Sequence, residues 1–215
     1  MPLSVSGRTV EDVNARESIS SSPPEFNEAC EALRAVSLRS EIDMTEIPPP
    51  GRLAPYAVAM SADVMAPKNF EQVTGEALDE LATGRIVLLY DPSSPLEWGG
   101  KFRVVSYVRA ELEHELGHDS LIGSVAWSWL VEALDGNDAA YTAQGGTVTR
   151  VLSESFGSLA ARPTSVDLEI RASWTPGNAP SAMGRHLEAW GELICMVAGL
   201  PPVPEGVTAL PGRRR

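Results

Sequence analysis

Apolar positions along this chain recur at two spacings, and the switches between them divide it into elements. "SPPE" (22–25) reads as a helix start: Ser22 can cap, Pro23 suits the first helical position, and Glu25 can reach back as a capping box. Phe26, Ala29, Cys30, Leu33 and Val36 follow three or four apart, which predicts an amphipathic helix over 23–38. A strand is expected around 40–46, and "IPPPGRLAP" (47–55) then breaks the chain. The period drops to two in "YAVAMSADVM" (56–65), where Tyr56, Val58, Met60, Ala62 and Val64 share one side. Residues 66–83 are a more charged excursion with one helical turn expected at 76–82. "GRIVLLYD" (84–91) suits a buried strand, and "KFRVVSYVRA" (101–110) sets Phe102, Val104 and Val108 against Lys101, Arg103 and Arg109. The turn-rich "PSSPLEWGG" (92–100) joins these two as a hairpin.

"DSLIGSVAWSWLVEALDG" (119–136) returns to the helical period. Asp119 can cap it and Gly136 can end it. At 100° per residue only Ser124, Ser128 and Glu132 form a polar stripe, so this helix is expected to be covered on nearly every side. Trp127 and Trp129 point to nearly opposite sides, which predicts a place at the centre of the domain or of a dimer.

The remaining elements alternate again. "SVDLEIRASW" (165–174) puts Val166, Leu168, Ile170, Ala172 and Trp174 on one face and Asp167, Glu169 and Arg171 on the other, the pattern of a half-buried antiparallel strand. "TVTRVLSESF" (147–156) is its expected partner across a loop around "SLAARPT". A last helix over 180–198 carries Met183, Leu187, Trp190, Ile194 and Val197 on one face, and Gly199 followed by Pro201 stops it. The predicted class is α+β: a curved, mainly antiparallel sheet with about three helices packed on it, in the order α-β(3–4)-α-β(2–3)-α.

Composition agrees and narrows the function. The chain has 215 residues, 43% hydrophobic and 21% charged, enough for one domain over about 22–200. Residues 1–21 are polar and serine-rich and are expected to be a disordered tail; 201–215 form a proline-rich tail ending in Arg213, Arg214 and Arg215. A net charge of −12 disfavours nucleic acid as a partner. Cys30 and Cys195 do not make a disulfide framework. Arg8, Glu11, Asp12 and Arg16 interrupt any signal-like apolar run near the start, and nothing reaches a membrane-span length. The expectation is a cytoplasmic protein without membrane partners.

Chemistry is sparse. "HELGH" (114–118) has two histidines four apart with Glu115 between them, the zinc-hydrolase spacing. That chemistry needs one continuous helix and a third ligand. Asp119 as a helix cap would keep His118 from lying one turn above His114 on a shared face, and His186 is the only other histidine. "LSESFG" has Val151 where a nucleophile elbow has its first glycine, so Ser153 and Ser155 read as strand residues. "AQGGTVTR" lacks the lysine of a phosphate loop. No catalytic, metal or cofactor-binding residue is assigned and no cofactor is expected. Four residues stand as binding or interface candidates: Trp127, Trp129, Arg150 and Arg171, the two arginines as a basic pocket for a small anion.

The strings "EIPPPGRLAPYAVAMSADV", "LATGRIVLLYDP", "GTVTRVLSESFG" and "LEIRASWTP", with "HLEAWGELICMVAGLPPVPEGV", carry a resemblance over about residues 24–207. The chain resembles the actinobacterial domain-of-unknown-function family DUF3000. The resemblance implies a cytoplasmic actinobacterial protein and an acidic, proline-bearing connector where "HELGH" stands. It implies no activity, cofactor or catalytic residue. The element order also resembles the secretion-chaperone-like fold, whose members dimerise and hold partner chains. The expectation is therefore a non-catalytic binding or assembly module for a protein partner or a second copy. The alternative is a zinc-dependent hydrolase using "HELGH".

Overall fold

Strand β6 (Ser165–Pro176) alternates as its sequence requires: Val166, Leu168, Ile170, Ala172 and Trp174 are all buried. In the computed structural model, which describes residues 22–66, 80–112 and 119–202, this strand lies inside a six-stranded sheet. The other strands are β1 (Ile42–Ile47), β2 (Tyr56–Met65), β3 (Glu80–Tyr90), β4 (Phe102–Leu112) and β5 (Tyr141–Ser153). Every pairing is antiparallel, in the order β1-β2-β3-β4-β6-β5. The helices are α1 (Pro24–Arg34), α2 (Ile122–Gly136) and α3 (Gly184–Val197). The α+β class and the order α-β4-α-β2-α follow the sequence reading, and β5 is indeed the partner of β6.

All three helices cover the same face. Val58, Met60, Ala62 and Val64 of β2 join Ile86 and Leu88 of β3, Val104 and Val108 of β4, and the apolar row of β6 in one core. Phe26 and Leu33 of α1, Leu130 of α2, and Leu187, Trp190 and Ile194 of α3 close it. Each fully buried leucine or isoleucine in such a core contributes about 1.5–3 kcal/mol. Gly84 of β3 lets α3 come down onto the sheet: a Cβ there would lie 2.7 Å from the Trp190 ring and 2.8 Å from Ile194. The opposite face carries no α-helix among the described residues.

Several boundaries differ from expectation, each for a local reason. Pro23 is the N-cap of α1, with Pro24 in the first turn, and Ser22 gives its carbonyl to Asn27 Nδ2 instead of capping with its hydroxyl. Glu25 makes no capping box because its carboxylate accepts from Lys101 Nζ at 3.0 Å and from the Tyr90 hydroxyl at 2.9 Å. Asp119 stands outside α2 and accepts from the backbone N–H of Leu121 at 2.8 Å. Gly136 is the last residue of α2, but it does not take the left-handed position that closes the helix. Asp138 takes the left-handed position at φ 49°, and Ala139 N–H bonds back to the Leu134 carbonyl at 2.9 Å. Gly199 ends α3 as expected, at φ 72°, with Leu200 N–H on the Cys195 carbonyl.

Of the helical turn expected at 76–82, residues 80–82 are strand, since Ala82 pairs with both Val64 and Ala110. The rest of that turn, the tail 1–21 and all but Pro201 and Pro202 of the C-terminal tail lie outside the described residues. Strand β5 begins six residues early, at Tyr141, because β6 runs on to Pro176 and pairs with it. Among the described residues no helix is long and apolar enough to cross a membrane.

The largest departure concerns α2. Its buried residues are only Ile122, Ala126, Leu130, Ala133 and Leu134, a single stripe. Leu121 just before it is 62% exposed and Val125 is 39% exposed. The helix rests chiefly on β5 and against α3. An apolar circumference thus records a helix lying at the rim of the sheet, not one enclosed by the domain.

At the base of the core the Trp174 indole N–H donates to His186 Nδ1 at 3.1 Å, with both side chains fully buried. The imidazole is therefore neutral with its proton on Nε2, and burial pushes its pKa down to about 4. An unfolded chain takes up this proton below about 6.5, whereas the folded chain does not until about 4. Stability is thus expected to fall as pH drops through that interval, by on the order of 3 kcal/mol from this group. Urea unfolding at neutral pH and near pH 4.5 measures the loss. His186→Gln, which retains an acceptor for the indole, should remove most of the slope; an unchanged slope would assign it to carboxylates.

Candidate functional site

Among the described residues two surfaces of the sheet stand out as uncovered, its helix-free face and the outer edge of β5. On the helix-free face register dictates what stands side by side. Arg85, Tyr107, Arg171 and Thr147 face one another on β3, β4, β6 and β5. The Arg171 guanidinium lies over the Tyr107 ring, 5.2 Å from its centroid, and pairs with Glu169 at 2.7 Å. The Tyr107 hydroxyl donates to Glu169 Oε1 at 3.3 Å. Burial first, then the Glu169 charge, pushes the Tyr107 pKa up. Arg109 is bound by Asp167 at 2.9 Å. Arg85, Tyr107, Arg171 and Thr147 line one side of a shallow trough of about 510 Å³ with Val87, Val105, Gly145 and Ser173.

Arg103 differs from its neighbours. Its guanidinium has only uncharged acceptors among the described residues: the Ala143 carbonyl at 2.9 Å, Thr175 Oγ1 at 3.0 Å and Ser173 Oγ at 2.7 Å. Burial without a carboxylate lowers its pKa. Nothing in the pattern of "KFRVVSYVRA" distinguishes Arg103 from Arg109; the difference comes from the bulge of β5 at Ala143, left-handed at φ 50°, and from the Ser173 and Thr175 hydroxyls.

The second surface is an edge. Strand β5 is 13 residues long, and of these only Tyr141 and Val148 are even partly buried. Among the described residues its outer side has no partner strand. Strand β1, the opposite edge, is six residues long and carries Asp43 and Glu46, which discourage further pairing. Strand β5 has a single charged residue, Arg150. Exposed apolar side chains gather around it: Leu121 and Val125 from the start of α2, Val151 and Leu152 on the strand, and Phe156 and Leu159 beyond its end.

The four candidates from sequence fall on these surfaces in unequal ways. Arg150 faces Leu168, on the helix-covered side, and donates to the Asp119 carbonyl at 2.7 Å. Arg171 faces Thr147 on the helix-free side. Directly opposed residues share a side of an antiparallel pair, so the two arginines lie on opposite faces and form no common basic pocket. Trp127 and Trp129 are half-buried and packed against the core. Trp127 covers Gly146, where a Cβ would lie 2.9 Å from the indole and 2.2 Å from the Arg171 carbonyl.

The "HELGH" segment lies outside the described residues. His186, the remaining imidazole, is buried with its Nδ1 committed to Trp174. No group of three or more metal-ligating side chains occurs among the described residues. Ser153 ends β5 and is exposed, Ser155 follows it and is half-buried, and neither has a hydrogen bond to that histidine, whose Nδ1 is taken by Trp174. Cys30 and Cys195 are buried thiols, the latter pushed up to about 11 by burial, the opposite of a reactive cysteine.

The sequence model of a family described as "Protein of unknown function (DUF3000)" matches residues 22–208. The chain belongs to the DUF3000 family. No curated protein and no solved structure matches it. The matched span takes in every element of the DUF3000 fold described above, both uncovered surfaces included.

At Gly146 of β5, backbone of β6 and the Trp127 ring of α2 leave no room for a Cβ, so Gly146→Ala tests this assembly. It is expected to destabilise the protein by about 1–3 kcal/mol, read from denaturant unfolding, because the new methyl meets backbone. Gly136→Ala, at a helical site with open space around it, should be neutral or stabilising by comparison.

Proposed function

We propose that this DUF3000 protein is a non-catalytic assembly module that associates through the outer edge of β5, and that its partner is a second copy of the chain. The observation that carries this reading is the edge itself, 13 residues long, with one charged side chain and an apolar border. Unpaired strand N–H and C=O groups are a template for another strand. Evolved edges are normally blunted by charge, proline or shortness, as β1 is. An antiparallel contact of β5 with β5 would join two six-stranded sheets across a two-fold axis. It would also bring the exposed Leu121 and Val125 of each α2 together over the seam. A chain of net charge −12 repels its copies over most of its surface, and this border is one where they can meet with little charge.

The zinc-hydrolase reading draws no support from the described residues, since the third histidine is buried and bound. A cytoplasmic setting accords with the two reduced, buried thiols.

Light scattering after size exclusion is the direct test. The chain should be dimeric, and Val151→Lys with Leu152→Lys should make it monomeric without lowering its melting temperature by more than a few degrees, because both side chains are exposed. A wild-type monomer at every concentration reached would overturn self-association. Stoichiometric zinc in chelator-free protein, lost in His114→Ala, would replace this reading with the hydrolase.

A further inference from the structure

The trough on the helix-free face is built from three parallel rows of side chains laid across the strands. The middle row is low: Val87 faces Val105, Val105 faces Ser173, and Ser173 faces Gly145. One wall is the row of Arg85, Tyr107, Arg171 and Thr147. On the other flank Leu89 faces Arg103, whose guanidinium bends inward to Ser173 Oγ at 2.7 Å. An apolar floor thus lies between cationic flanks.

We propose that this trough binds a small planar organic anion, a flat aromatic carboxylate or its like, with its body on Val87 and Val105 and its charge against Arg85 and Arg171. Local charge is the first argument. Two guanidiniums, Arg85 and Arg171, line the trough and a third, Arg103, reaches its Ser173 from beside it; Glu169 is the one carboxylate paired among them, through Arg171. Arg85 is exposed with no hydrogen bond or ion pair among the described residues, and Arg103 meets only neutral oxygens. In a chain of net charge −12, such a cationic excess is a local feature that selects an anion.

Preorganisation is the second argument. Stacking on Tyr107 and pairing with Glu169 hold the Arg171 fork in place before any ligand arrives, which reduces the ordering cost of binding. Size is the third. A volume of about 510 Å³ lies within the usual small-molecule range of roughly 300–1,000 Å³. The floor then distinguishes the ligand class: a bare inorganic anion would leave Val87 and Val105 wet, and a flat apolar body would cover them. Polyanionic nucleic acid would meet the acidic remainder of the surface. The proposal stands apart from self-association, since its walls lie chiefly on β3, β4 and β6.

Naphthalene-2-carboxylate, naphthalene-2-carboxamide and inorganic phosphate serve as probes by titration calorimetry on the full chain. The carboxylate is expected to bind, and the amide and phosphate to bind at least tenfold more weakly. Arg85→Gln and Arg171→Gln should each weaken carboxylate binding at least tenfold, while Arg162→Gln, in the β5–β6 loop, should not. Thermal melts confirm folding, and because Arg85 is exposed its variant should melt with the wild type. No binding of the carboxylate, equal binding of acid and amide, phosphate as tight as the carboxylate, or affinity unchanged in both variants would each overturn the proposal. Carrying out the series in Val151→Lys/Leu152→Lys protein separates it from the edge: retained binding in a monomer leaves the trough standing whatever the fate of the dimer.

Discussion

Three helices share one face of a six-stranded sheet, and the burial of that single layer governs the rest of the molecule. Trp174 and Leu168 from β6 meet Leu187, Trp190 and Ile194 from α3 with essentially no remaining exposure. Because the apolar rows of β2, β3, β4 and β6 all point to this layer, the alternate residues of the same strands must point away from it. The helix-free face is the obligatory complement of the core. Its arginines, acids and hydroxyls are there because a strand has two sides and the helices occupy one.

The same constraint explains the edges. Strand β6 is apolar enough to be central, so it lies between β4 and β5 although β5 precedes it in the chain. That insertion pushes β5 outward, where α2 covers only part of one face and, among the described residues, no strand pairs with its outer side. Helix α2, which connects β4 to β5, follows its strand to the rim and keeps a flank in water. Exposed apolar residues on α2, β5 and the turn beyond it have a common origin in this one topological step.

Polar groups inside the core are few. The indole of Trp174 finds its acceptor in His186, which stays neutral because a charge there would lie among Leu33, Met60, Leu88 and Met183. The carboxylate of Glu25 ties the first turn of α1 to Tyr90 and Lys101 at the β3–β4 hairpin, and Arg34 ties its last turn to Glu46 of β1 at 2.9 Å. Both ion pairs are well exposed, so they orient the helix more than they stabilise it.

Period-two alternation in "SVDLEIRASW" and helical spacing in 180–198 determined strand β6, helix α3 and their buried faces from local sequence alone. Local alternation fully specifies which side of a strand is apolar. The stop at Gly199 was legible for a like reason, since glycine accepts a left-handed backbone without cost. What the sequence could not show was which elements would lack a neighbour. The composition of α2 is that of an enclosed helix, and only its place over an edge strand leaves Leu121 and Val125 in water. Arg150 and Arg171 looked like a pair because both are basic and lie on partner strands; register across β5 and β6 put them on opposite faces. The trough was equally hidden, since Arg85, Tyr107 and Arg171 come from three strands and become neighbours only through hydrogen-bonded pairing. Faces are a property of local period, which a single strand carries by itself; edges, exposure and cross-strand sites are properties of strand order, which exists only once the chain has closed on itself.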